Sequence, residues 1–291
     1  MPNPTPAKHH KKKKHKGMIA FLIILILGLL VILVALLPQF YIRRVEIKGN
    51  KVLTDREIAD RTGIEEGKHL FYYVSGSAKD YLTLCYGKIE DDLLLAYPYI
   101  EDIKVTADIP YQVSIELKER QEALFIEAKD AYIIVDKNGL ILQKAPKSLE
   151  ARAPVVRGII VPDDKIPGQS LSEDNLRQVE RVLDTIEQIK SQDSVEVRTR
   201  DLLDQINYFF PYSAGSMYLE VQVNEKDKVL VKLDPTRGMR DKLAWLKNAL
   251  KQDVLGGLGD GILDLTGTNN VFKPDMVLPE PLAKKAEKGE P

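Results

Sequence analysis

The 291-residue chain has one cysteine, Cys85, one tryptophan, Trp245, and four histidines. A single thiol excludes an intrachain disulfide, so whatever folds here is held by its core. His9, His10 and His15 sit in an N-terminal lysine tract, and His69 is the only imidazole beyond it. That removes a His-based metal site, and no HExxH, Walker loop, GxSxG or paired-cysteine signature occurs. His69 follows Gly67-Lys68 and reads as a solvated turn residue. The adjacent acids Asp91-Asp92 and Asp163-Asp164 diverge by ~100° on a helix or face opposite ways on a strand, a poor geometry for acid–base partners or a calcium cage. No catalytic residue, metal or cofactor is expected, and the chain is not expected to be an enzyme.

Acid is also missing from the N-terminus, where the first carboxylate is Glu46. What stands there instead is Lys8, Lys11, Lys12, Lys13, Lys14 and Lys16, then an unbroken apolar run from Met18 to Leu37. At ~1.5 Å rise per residue this run crosses a ~30 Å hydrocarbon core, and it exceeds the ~7–15 apolar residues of a cleavable signal. Residues 1–17 are therefore expected to be a basic cytoplasmic tail and 18–37 a retained transmembrane helix. The cluster Phe40, Tyr41, Arg43 and Arg44 suits a headgroup boundary. Lysines before the span against two arginines after it orient the C-terminal part outside the cytoplasm. Without the first 44 residues, 34 basic residues face 43 acids, a net of about −9, which disfavours nucleic acid as a partner.

Beyond the span, Val45 and Ile47 alternate with Glu46 and Lys48 as a short strand closed by Gly49-Asn50. Thr54-Asp55-Arg56-Glu57 forms a capping box whose helix stops at Gly63. A single longer helix is expected from about Ser77 to Ala96, with Tyr81, Leu84, Cys85, Ile89 and Leu93 on one stripe and Pro98 after its end. Ile103 and Val105, then Val113, Ile115 and Leu117, make a hairpin around Asp108-Ile109-Pro110-Tyr111. This order predicts a small sheet with two helices on one face, an α+β arrangement.

The stretches Val45–Asn50, Tyr97-Pro98-Tyr99 through Val105, Ile109-Pro110, and Ile115 through Glu119-Arg120 together resemble a POTRA domain of the FtsQ family of bacterial division proteins, called DivIB in Gram-positive bacteria. The resemblance implies a POTRA domain (β-α-α-β-β) over residues 40–120 and a β-rich domain over 121–273, with two or more helices packed on an antiparallel sheet. In the second domain, Ala131–Val135 and Leu140–Leu142 form a hairpin around Asp136–Gly139. A loop from Pro146 to Gln169 leads to a helix from about Ser172 to Lys190, with Leu176, Val179, Leu183 and Ile186 inward and Ser170 and Glu173 as its capping box. Strands at Met217–Val223 and Val229–Leu233 precede a helix carrying Met239, Leu243, Leu246 and Leu250, with Trp245 as a core anchor beside them. Short strands at Ile262–Leu265 and Val271-Phe272 close the domain, and residues 274–291 are expected to be a disordered tail.

As a member of that family the chain is expected to be a non-enzymatic, single-pass scaffold of the bacterial plasma membrane, concentrated at the division septum. Its last strands would bind an FtsB-like (DivIC-like) protein, which travels with an FtsL-like one, by strand addition. Other division and wall-synthesis proteins would meet the POTRA domain. The implied partner-binding positions are Leu265, Thr266, Gly267, Asn269, Asn270, Val271, Phe272 and Lys273. Two readings from other classes stay open: a POTRA-bearing translocation or outer-membrane assembly factor, and a membrane-tethered wall enzyme.

Overall fold

The structure is a computed structural model that describes residues 14–193, 201–259, 261–274 and 277–279. The lysines before residue 14 and most of the expected tail lie outside the described residues.

Helix α1 spans Lys14–Ala35. Its stretch Gly17–Val34 has a mean hydropathy of 3.3 and no residue buried against the rest of the protein, so its apolar surface needs a hydrocarbon partner. The remaining chain divides into two compact units, residues up to 93 with 102–117 and residues 94–101 with 118 onward.

In the first unit, a 3₁₀ turn at Pro38–Phe40 leads into β1 (Arg44–Lys48) and α2 (Asp55–Thr62). The Thr54–Glu57 capping box and the left-handed Gly63 bound α2 as the sequence requires. The single longer helix is instead two, α3 (Ala78–Thr83) and α4 (Gly87–Ala96). Leu84 turns left-handed at φ 56°, and the Cys85 amide closes α3 onto the Asp80 carbonyl at 2.8 Å. The break lets Cys85–Gly87 bond across to Ser75 and Val105, and it buries Tyr86, whose hydroxyl donates to the Leu70 carbonyl at 2.5 Å. Cys85 is buried as expected, but Tyr81 is exposed. Strands β2 (Ile100–Asp108) and β3 (Gln112–Glu119) form the expected hairpin, and β1 adds in parallel to β3, giving the order β1-β3-β2. Ile58, Leu70, Leu93, Val105, Val113 and Ile115 are fully buried in this unit.

The second unit is a nine-stranded sheet. Its strands are β4 (Leu124–Glu127), β5 (Ala131–Val135), β6 (Ile141–Pro146), β7 (Val155–Val156), β8 (Ile206–Ser213), β9 (Ser216–Gln222), β10 (Lys228–Leu233), β11 (Gly261–Asp264) and β12 (Val271–Pro274). They lie in the order β12-β11-β10-β9-β8-β7-β4-β5-β6. The α+β class holds, but the sheet is mixed rather than antiparallel, because β4–β7, β7–β8 and β10–β11 pair in parallel. Helices α5 (Glu173–Asp193) and α6 (Met239–Lys251) share a core with Val156, Phe209, Leu219 and Val231. The buried stripe of α5 is Val179, Val182, Ile186 and Ile189, with Leu183 packed at its margin.

The cap of α5 lies two residues later than expected: the Ser172 hydroxyl accepts from the Asn175 amide at 3.4 Å, while Ser170 bridges to Leu140. Lys247 of α6 reaches Asp193 at 2.9 Å, and Asp193 also accepts the Leu202 and Leu203 amides, tying the two helices to the chain that enters β8. On the opposite sheet face Tyr208, Phe210, Tyr218 and Ile262 form a second cluster. Leu278, within the expected tail, packs on it.

Candidate functional site

The sheet ends on one side at β12, which pairs antiparallel with β11 from Gly261↔Pro274 to Asp264↔Val271. Nothing in the described residues pairs with its other edge. A strand of this kind presents a row of backbone N–H and C=O groups to any incoming extended segment.

All eight implied partner-binding residues lie on this terminal hairpin, in different settings. Leu265 is buried in the main core and Phe272 packs against it from β12. Thr266, Gly267 and Asn269 are exposed on the connecting loop, Asn270 is half-buried, and Val271 and Lys273 are exposed on the strand. Val271 is 47% exposed, which makes it the apolar side chain the edge offers outward.

Two residues outside that set hold the hairpin in shape. Asp264 Oδ1 accepts from the Thr266 amide at 3.0 Å and the Thr266 hydroxyl at 2.6 Å, a side-chain turn that starts the loop. Its other oxygen pairs with Lys273 Nζ at 2.7 Å, clamping β11 to β12. Partial burial works against the carboxylate's charge, but the hydrogen bonds from Lys273 and Thr266 outweigh it and bring its pKa down to about 2. Lys242 of α6 donates to the Gly267 carbonyl and to Asn270 Oδ1, each at 2.8 Å, and so pins the loop from the helix layer. The Asp-x-Thr spacing was a readable signal for Asp264. Lys242 had none, since its contacts join residues 25 and 28 positions apart. Gly261 allows the hairpin to close tightly, because a Cβ there would meet the Lys273 carbonyl oxygen at 2.5 Å and the Phe272 ring at 2.6 Å.

His69 and Trp245 have structural contacts. His69 Nδ1 accepts the Phe71 amide at 3.3 Å and caps a 3₁₀ turn, a firmer role than a solvated loop. Asp91, Asp92, Asp163 and Asp164 are exposed, and Trp245 packs against the main core. A cavity of about 590 Å³ in the second unit is lined by Lys118, Arg120, Glu122, Asp136 and Arg152, among others. Of its five carboxylates, Glu101, Glu122 and Asp136 are paired with Lys118, Arg152 and Arg120 at 2.7, 2.8 and 3.3 Å.

Residues 40–120 match the family model described as POTRA domain, FtsQ-type. The chain is 27% identical over 267 residues to the cell division protein DivIB of Clostridium botulinum strain Hall, covering 90% of this chain and 93% of that one. The chain is thus similar to the DivIB and FtsQ cell division proteins over nearly its whole length. DivIB of Clostridium acetobutylicum is 30% identical over 115 residues, 40% of this chain and 41% of that one. FtsQ of Corynebacterium glutamicum is 22% identical over 219 residues, 72% of this chain and 87% of that one. The relatives' shared name supports a role in cell division for this chain, and α1 fits a membrane-anchored protein.

Proposed function

We propose that the chain is a non-enzymatic scaffold of the division machinery, and that β12 captures an extended segment of a DivIC-like (FtsB-like) membrane protein accompanied by an FtsL-like one. The observation that carries this reading is the free edge of β12, held in register by Asp264, Lys273 and Lys242 and bearing the exposed Val271. Strand addition needs only an ordered edge for its main-chain hydrogen bonds and a pocket or side chain or two for selection. The Asp264 clamp and the Lys242 pin supply that order before any partner arrives, which lowers the entropy lost on binding.

In this reading the lysine tract before α1 stays in the cytoplasm, and both folded units face the extracytoplasmic side of the plasma membrane at the septum. The first unit is left to meet other division or wall-synthesis proteins. The test is photocrosslinking in living cells from Val271 and, as a contrast, from Asn50, with mass spectrometry of the captured protein. Capture of a small coiled-coil membrane protein from Val271 is the expected result. Its absence there, with outer-membrane assembly components or wall hydrolases captured instead, contradicts the proposal.

A further inference from the structure

We infer that the first unit has a lipid-facing surface, built from Tyr41, Tyr72, Ile109 and Tyr111 with the cations Arg43 and Lys68, that lies in the headgroup layer of the bilayer crossed by α1.

Very little chain separates the span from the fold. Apolar sequence ends at Leu37, and the Phe40 amide donates to the Leu37 carbonyl at 3.1 Å, so the backbone passes from span to domain through one tight turn. Phe40 is not at the headgroups, as its place in sequence led one to expect. It is buried, its ring 6.1 Å from Phe71, and Ile42 is buried two residues later. The domain is therefore seated at the membrane end of α1 rather than hung on a linker.

Three successive backbone attachments then fix which loops share that position. Tyr41 bridges to His69, the Ile42 amide donates to the Lys68 carbonyl at 2.8 Å, and the Arg43 amide donates to the Tyr111 carbonyl at 2.9 Å. From Phe40 to Arg43 the chain spans at most about 11 Å even when fully extended, so the Lys68–Tyr72 loop and the β2–β3 hairpin tip are held at the bilayer boundary by covalent reach.

What these loops expose is unusual for water and apt for an interface. Ile109 is 58% exposed, Tyr72 69%, Tyr111 42% and Tyr41 40%. Arg43 lies over the Tyr111 ring at 5.8 Å, and Lys68 over the Tyr72 ring at 5.8 Å. Amphipathic rings beside cations are the composition that settles at headgroup level, the ring below and the charge at the phosphates. Glu65 is the acid paired on this loop, 3.5 Å from Lys68. The other end of the same strands carries Lys48 opposite Glu116, a pair of opposite charges.

The test uses the full chain in nanodiscs of phosphatidylethanolamine and phosphatidylglycerol, with an environment-sensitive fluorophore on Ile109→Cys, on Tyr72→Cys, or on Glu116→Cys at the far end of β3. Cys85 is buried and stays unlabelled. A lipid carrying a quencher just below its headgroup should remove more than about half of the emission at both Ile109→Cys and Tyr72→Cys and leave Glu116→Cys nearly unchanged. Quenching at neither or at only one of the two loop sites, or equal quenching at Glu116→Cys, overturns the inference.

Discussion

Asp264 is where charge, turn geometry and strand pairing meet. Its unfolded value of 3.8 falls to about 2 in the folded hairpin, with burial opposing and Lys273 and Thr266 prevailing. A carboxylate whose folded pKa is depressed stabilises the protein above its unfolded pKa, and that stability drains away as pH falls through the folded pKa. The contribution is about 2 kcal/mol. Asp264→Asn should lose about this much at neutral pH and show a flatter acid limb between about pH 4 and pH 2 in denaturant titrations; an unaltered acid limb would mean the clamp contributes nothing. Asp136 plays a comparable part away from the edge. It is 2% exposed, accepts the Asn138 and Leu140 amides at 2.9 and 2.8 Å, and pairs with Arg120 at 3.3 Å. Asp136→Ala should cost about 2–4 kcal/mol in thermal or chemical unfolding, since it strands two amides and a largely buried guanidinium. Both aspartates announce themselves locally, as Asp-x-Thr and Asp-x-x-Gly. Lys242 and Lys247 do not, because what gives them meaning is a partner in a distant segment.

The elements were legible where periodicity was clean and bounded by punctuation. The Thr54–Glu57 box, the β2–β3 hairpin and the α6 stripe follow directly from pattern. The strands β4, β7 and β8 carry no such signal. β7 has only two residues, and β8 carries Pro211 inside an aromatic run that lacks alternation because both of its faces are covered, by the helix-side core and by the Tyr208–Phe210–Tyr218 cluster. The split of the expected long helix into α3 and α4 is likewise tertiary, since the helical stripe continues through Leu84 and Cys85 while their backbone bonds go to Ser75, Asp80 and Ala107. Of the candidate site, the sequence located the terminal hairpin by resemblance, but not which of its side chains turn inward. At this scale the loop between β11 and β12 depends on α6. Lys242→Met removes both tethers without touching the core, and amide hydrogen exchange in residues 266–270 should speed up by about tenfold while global stability changes by less than about 1 kcal/mol. Unchanged exchange there would show the loop to be ordered by the strands alone.

For the whole molecule, composition set the frame: a basic N-terminus, one apolar span, and an acidic remainder. In the proposed function, an anchored sheet offers one prepared edge for assembly. The sheet has a second terminal strand, β6, which serves as an internal comparison. The most direct test is residue-resolved amide exchange of the full chain in nanodiscs, with and without a DivIC-like and FtsL-like pair. Strand addition predicts that the β12 amides pointing away from β11 slow by at least about tenfold on binding while β6 is unaffected. A pair that binds and leaves β12 exchange unchanged would contradict it.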